Sequence, residues 1–122
     1  MKNILIIDDS ISIRNFVRLM LEDASYNVVE AENGAIGIEK FRSGDFDLVI
    51  SDIYMPIKSG LEVVVNLKKD YPDINIIILS DGGKEHFSDY MQVCEALGAT
   101  TFLSKTQIKD DLLPLIKKLI EV

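Results

Sequence analysis

Tryptophan is absent from this chain of 122 residues, cysteine occurs once and proline three times. The lone cysteine, Cys94, cannot form an internal disulfide, which is compatible with a reducing compartment. No Pro/Gly/Ser linker, internal repeat or low-complexity tract interrupts the sequence, so one domain over residues 1–122 is expected. Long apolar runs are also missing. The stretch from Lys2 to Asp8 is too short for a signal-peptide core or a membrane span, and a cytoplasmic protein without membrane contact is expected. Positive charge is scarce: the net charge is −7, the pI is near 4.6, and no Lys/Arg cluster appears. Such a surface repels phosphate backbones, which argues against direct nucleic-acid binding. Walker-type and dinucleotide-binding glycine loops are lacking too, which argues against nucleotide enzymes.

What is present belongs to an ordinary globule, with 48% hydrophobic and 27% charged residues. A chain of this size buries roughly two-thirds of its unfolded surface and needs no disulfide or structural metal to fold. Short runs rich in Ile and Val recur at Ile4–Ile7, Asn27–Glu30, Asp47–Ser51, Ile74–Leu79 and Thr100–Leu103. Stretches of helical period lie between them. Ile13, Phe16, Val17, Met20 and Leu21 form a stripe in the first, which runs from Ser10 to about Ala24. Ile36 and Ile38 mark the second, from about Asn33 to Phe41. The third opens on a Ser59–Glu62 capping box and carries Leu61, Val64, Val65 and Leu67. Phe87, Met91, Cys94 and Leu97 align in the fourth, about Lys84 to Ala96, with His86 exposed near its start. Leu112, Ile116 and Leu119 mark the fifth. Pro114 is tolerated only in a first turn, so this helix is expected to start near Asp110 or Asp111, with one of them as cap.

Strand–helix alternation with apolar strands predicts a parallel sheet covered on both faces. Right-handed crossovers put every strand-to-helix junction at one edge, where open α/β sheets bind ligands. Asp8 and Asp9 end the first strand, Asp52 the third and Ser80 the fourth; Lys105 follows the fifth. Three carboxylates within about 5 Å of one another repel by roughly 3 kcal/mol per pair at an effective dielectric near 20. The arrangement needs cations. Lys105 supplies one charge, and a hard metal, Mg²⁺ or Mn²⁺ rather than Zn²⁺, suits an all-carboxylate set. Spacing thus points to an acidic metal site that handles phosphate.

Asp8-Asp9, Asp52 followed by Met55-Pro56 and Gly60, Ser80 and Lys105 resemble the marker residues of the response-regulator receiver domain. The resemblance covers essentially the whole chain. It implies a flavodoxin-like doubly wound α/β fold, with a five-stranded parallel sheet in order 2-1-3-4-5 and five helices. It also implies a phosphorylation-activated switch rather than a conventional turnover enzyme. Asp52 would be the phosphoacceptor. Asp8, Asp9, Asp52 and the backbone carbonyl of Tyr54 would hold Mg²⁺. Lys105 and the Ser80 hydroxyl would bind phosphoryl oxygens, and Phe102 would turn inward when Ser80 moves. A sensor histidine kinase or phosphotransfer protein would donate the phosphoryl group. A downstream protein target, or a second copy in a homodimer, would read the fourth helix, fifth strand and fifth helix. Leu113 and Ile120 lie off the fifth helix's stripe, as apolar surface for a partner or as peripheral core.

The chain departs from the family at two positions. Thr106 stands where proline is usual, and a cis bond before threonine costs about 3 kcal/mol, so a trans loop is expected. Asp81 follows Ser80 where the family favours a small residue. Its charge would slow phosphorylation or change the lifetime of the phosphoryl group, while the bulk of Tyr54 would shield that group from water. Gly82-Gly83 then gives a loop with wide conformational freedom. Because the last helix runs to the end of the chain, a stand-alone receiver or one excised from a longer protein is expected. Two other classes compete. A haloacid-type phosphatase wants two aspartates one residue apart, whereas Asp8 and Asp9 are adjacent. A phosphorylation-independent interaction module would carry the acids as a vestige.

Overall fold

Each apolar run becomes a strand: β1 (Asn3–Ile7), β2 (Asn27–Ala31), β3 (Leu48–Asp52), β4 (Asn75–Ser80) and β5 (Thr101–Ser104). All pair in parallel, in the order β2-β1-β3-β4-β5. The structure is a computed structural model that describes residues 1–80, 92, 95, 96, 98 and 101–121. Successive strand side chains face opposite sides, so each strand feeds two cores. Leu5, Ile7, Val49, Ile76 and Ile78 meet Ile38, Phe41, Val63, Val64 and Leu67 on one side of the sheet. Ile4, Ile6, Leu48, Ile50, Ile77 and Leu79 meet Val17, Leu21, Ile108, Leu112 and Ile116 on the other. Burying each such side chain contributes about 1.5–3 kcal/mol, which accounts for strands that are apolar on both faces.

The helices are α1 (Ile11–Asp23), α2 (Gly34–Ser43), α3 (Gly60–Asp70) and α4 (Leu113–Ile120). Ser10, Asn33 and Ser59 cap the first three by accepting the backbone N–H of Ile13, Ile36 and Glu62, and the capping box of α3 forms as expected. Two stripe residues were misplaced by periodicity: Phe16 and Val65 are about half exposed, and Val63 takes a buried position instead. The fourth expected helix, with His86, Phe87, Met91, Cys94 and Leu97, lies outside the described residues, as do Asp81 and Gly82-Gly83. Gln92, Glu95 and Ala96 are helical.

The C-terminal helix corrects the expectation of a start at Asp110 or Asp111. Helical backbone begins at Lys105 with a 3₁₀ turn to Gln107, widens into a π turn over Ile108–Leu112, and becomes α-helical at Leu113. Pro114 has no N–H to offer a continuous α ladder, so the backbone changes pitch just before it. Asp110 and Asp111 are exposed in that turn, and neither caps the helix. Leu113 and Ile120 pack against the α1-side core, which makes them peripheral core.

Candidate phosphoryl-acceptor site

The register places Ile7 beside Ser51, Asp52 beside Leu79, and Ser80 beside Ser104, so the C-terminal ends of four strands line up. Asp8 lies just past β1. Its N–H donates to the Ala31 carbonyl at 3.1 Å, and its Oδ1 accepts the Ser10 N–H at 2.9 Å. The carboxyl group is fully buried, whereas the adjacent Asp9 is exposed. Asp52 is the last residue of β3 and is buried; the Ile53 N–H continues the ladder to the Leu79 carbonyl at 3.0 Å.

Lys105 joins the strands. Its Nζ lies 3.3 Å from Asp8 Oδ2 and 3.4 Å from Asp52 Oδ2. One oxygen each from Asp8, Asp9 and Asp52 falls within 4.8 Å of the others. Burial raises the Asp8 pKa above the ordinary carboxylate value; the Ser10 N–H and the Lys105 ammonium oppose that rise, and the Asp9 charge adds to it. A buried carboxylate oxygen, Asp8 Oδ2, has no hydrogen-bond partner beyond its ion pair with Lys105. Three hard oxygen donors with an unsatisfied buried oxygen among them fit Mg²⁺ or Mn²⁺, and the set holds none of the His or Cys ligands that zinc favours.

Local sequence explains why Lys105 reaches the acids without the family's proline. Ser104 Oγ accepts the Thr106 N–H at 3.3 Å and contacts Thr106 Oγ1 at 2.9 Å, while Gln107 Oε1 accepts the Ser104 N–H at 3.2 Å. This Ser-x-x-Gln capping box starts the 3₁₀ turn and places Lys105 at its first position. No described peptide bond is cis, so the trans loop is observed. The capping box is a local sequence signal at Ser104 and Gln107, whereas the contact of Arg14 with the Asp8 carbonyl has no signature in helical period.

Ser80 is buried, and its Oγ has no hydrogen-bond partner among the described residues. Phe102 is half-buried against the α2/α3-side core. Tyr54 is 51% exposed beside the acids. Gly60 packs against the end of β3: a Cβ there would sit 2.4 Å from the Asp52 carbonyl oxygen. Nearby, Ile57 is 74% exposed with a φ of 73°, a left-handed conformation that β-branched residues rarely adopt.

The chain matches the response regulator receiver domain over residues 4–117. It is 35% identical to the chemotaxis protein CheY of Halobacterium salinarum over 104 residues, covering 85% of this chain and 84% of that one. It is also 35% identical to a putative transcriptional regulator of Pseudomonas aeruginosa over 93% of its own length, but spans only 54% of that protein. The Thermotoga maritima response regulator TrrA, solved with Mg²⁺ and BeF, superposes with a TM-score of 0.85 at 38% identity, covering 98% of this chain and 99% of that one. With buried acids gathered at one sheet edge, a lysine between them and a match across nearly every residue, the chain belongs to the response regulator receiver domain family, the phosphorylation-activated switches of two-component signalling.

Proposed function

We propose that Asp52 is the residue that accepts the phosphoryl group. The observation that carries this reading is the Lys105 ammonium, held between the carboxylates of Asp8 and Asp52 at 3.3 and 3.4 Å. One Asp52 oxygen attacks phosphorus in line. The new O–P bond forms as the donor's P–N bond (phosphohistidine) or P–O bond (acetyl phosphate) breaks, and the leaving group keeps the electron pair. Lys105 offsets the negative charge of the transferring group, which makes positioning and neutralisation the main protein contributions. Asp8, Asp9, Asp52 and the Tyr54 carbonyl would hold Mg²⁺, which supplies Lewis-acid neutralisation of the phosphoryl oxygens when bound. The Ser80 hydroxyl, buried without a partner, is the group that turns to a phosphoryl oxygen, and Phe102 follows it inward.

The phosphodonor is a sensor histidine kinase or phosphotransfer protein. The readout surface runs over the fourth expected helix, β5 and α4 toward a downstream protein or a second copy of the chain. No helix among the described residues is long and apolar enough to cross a membrane. Asp81 slows phosphoryl uptake or shifts phosphoryl lifetime, and Tyr54 shields the acyl phosphate from water. Asp81→Ala therefore changes one of those two rates, while Tyr54→Ala shortens the lifetime.

The test is incubation with Mg²⁺ and acetyl phosphate, read by intact mass. The expected result is a gain of one phosphoryl group that Asp52→Asn abolishes. No gain in the wild type, or a gain that survives Asp52→Asn, overturns the assignment.

A further inference from the structure

Arg14 sits on the first turns of α1, one helix away from the chemistry, and its side chain is only 14% exposed. Its guanidinium reaches in two directions. Nη1 donates to the backbone carbonyl of Asp8 at 2.7 Å, and Nε donates to Glu30 Oε1 at 3.2 Å. Glu30 lies on β2 and is held a second time, by Arg18 Nη1 at 3.1 Å. Lys40 Nζ donates to the Glu30 carbonyl. The clamp therefore has a fixed base in β2 and a single arm extending to the loop after β1.

That arm grips an informative atom. The Asp8 carbonyl belongs to the peptide unit between Asp8 and Asp9, and the Asp8 N–H is already fixed to Ala31 at 3.1 Å. Holding both ends of Asp8 sets the plane of the Asp8–Asp9 peptide. That plane fixes the N–Cα axis about which the Asp9 side chain turns, and the Ser10 N–H bond to Asp8 Oδ1 narrows the rotation that is left. Asp8 is locked further by its Oδ1 bond to the Ser10 N–H, whereas Asp9 is exposed and its carboxylate makes no hydrogen bond among the described residues. The exposed member of the acid trio thus depends most on its backbone for aim. A planar guanidinium delivers two fixed donors, which a flexible ammonium does not.

We infer that Arg14 is a positioning residue for the metal site: with Glu30 as its anchor, it orients the Asp8–Asp9 peptide so that the Asp9 carboxylate points into the acid cluster. This rests on the phosphoacceptor reading of that cluster. Partners behind metal ligands commonly change metal affinity by 10–100-fold when removed, and an arm that aims one ligand of several belongs near the lower end, about tenfold.

The experiment is calorimetric titration of Mg²⁺ into the wild type, Arg14→Ala, Arg14→Lys, Glu30→Gln and Asp9→Asn, with Arg14→Ala/Asp9→Asn as the double variant. Amide hydrogen exchange at Ser10 in metal-free protein gives a second readout. Arg14→Ala weakens Mg²⁺ binding about tenfold. Arg14→Lys, which folds if packing alone is at issue, recovers only part of it, and Glu30→Gln weakens binding less. Exchange at Ser10, whose N–H is bonded to Asp8 Oδ1, speeds up in all three. In the Asp9→Asn background, Arg14→Ala has no additional effect, because the ligand it aims is gone. A purely structural role would lower thermal stability while leaving Mg²⁺ affinity within twofold, and that outcome overturns the inference, as does full additivity in the double variant. Absence of Mg²⁺ binding in the wild type overturns the phosphoacceptor reading and this inference together, whereas normal wild-type binding with unaffected variants overturns this inference alone.

Discussion

The two edges of the sheet treat acidic residues in opposite ways. At the N-terminal edge, Asp47 Oδ2 accepts the Asn3 N–H at 2.8 Å, Asp47 N–H donates to the Asn3 carbonyl at 2.8 Å, and Asn27 Nδ2 bridges to Asn3 Oδ1 at 3.0 Å. Every one of those groups serves to tie β1 to its neighbours. At the C-terminal edge, Asp8 and Asp52 are buried more deeply, face a single lysine, and leave an Asp8 oxygen without a hydrogen bond. Satisfied carboxylates build the fold. Buried acids crowded together, with one oxygen left without a hydrogen bond, carry a stability cost instead, the pattern of a site shaped for function.

Glycines at the two edges give the largest contrast. Gly60 meets fixed backbone: a Cβ would lie 2.4 Å from the Asp52 carbonyl oxygen and 2.8 Å from Ile53 Cα. Gly44, at the other edge, would meet chiefly the Phe46 ring, 2.7 Å from its Cε2, in a side chain that can swing aside. Gly60→Ala is expected to cost about 3 kcal/mol, measured by urea unfolding, and Gly44→Ala less than about 1 kcal/mol. Displacing Asp52, the proposed acceptor, also slows phosphorylation from acetyl phosphate by about tenfold or more in Gly60→Ala, since a 1 Å misplacement costs on the order of 10² in rate. Equal costs at the two glycines would break the contrast.

The same chemical change at each edge should then have opposite signs. Asp47→Asn weakens an acceptor that binds a backbone N–H and costs about 1 kcal/mol. Asp8→Asn keeps an oxygen for the Ser10 N–H and removes a carboxylate that burial disfavours, so metal-free protein is stabilised while Mg²⁺ affinity falls. Thermal unfolding in EDTA reads both. Destabilisation by Asp8→Asn would mean that the Lys105 pair outweighs desolvation.

Much of this edge was legible before any coordinates. The acids and the lysine stand at the ends of apolar runs, and a parallel sheet leaves such residues nowhere else to go. Less visible was what holds them. The position of Lys105 comes from the capping box at Ser104 and Gln107, a short-range signal that stands in for the missing proline. The contact of Arg14 with the Asp8 carbonyl pairs α1 with a strand end, and helical period carries no information about such a reach. Period also fails to choose among neighbouring faces, which is why Phe16 and Val65 were placed inside. For the last helix, Pro114 suggested a start one turn upstream, whereas the chain had already begun to coil at Lys105.

Acidity separates the edges further. Because the folded-state pKa of Asp8 is raised above 3.8, chiefly by burial, the native protein holds that proton to higher pH than the unfolded chain does. The unfolded state then binds fewer protons within the window between the two pKa values, and metal-free stability declines there as pH rises. Asp8→Asn flattens this part of the profile. Mg²⁺ uptake within the same window releases a proton, detectable as a buffer-dependent heat of binding. A wild-type profile indistinguishable from that of Asp8→Asn would remove burial as the dominant influence on Asp8.

The smallest expected effects come from two left-handed residues, one at each edge. Ser25 has a φ of 71° and ends α1: its N–H donates to the Glu22 carbonyl at 3.0 Å, and the Tyr26 N–H donates to the Leu21 carbonyl at 3.0 Å, the paired bonds of a Schellman motif. Ile57, with a φ of 73°, lies in the loop after Asp52 and is 74% exposed, so its side chain gains little from packing. A left-handed L-residue costs roughly 1–2 kcal/mol, and glycine's extra unfolded-state entropy takes back about 0.5–1 kcal/mol of any relief. Ile57→Gly should therefore stabilise by about 1 kcal/mol and Ser25→Gly by about half as much, both by urea unfolding. Ser25 sits where a helix must stop, and serine is a tolerable substitute for glycine there. A branched apolar residue held in the same conformation in the loop after Asp52 has no such excuse in the fold, which is the pattern expected where local strain accompanies function. If Ile57→Gly is neutral or destabilising, the loop draws stability from that side chain, and the site edge is less strained than its dihedral angle implies.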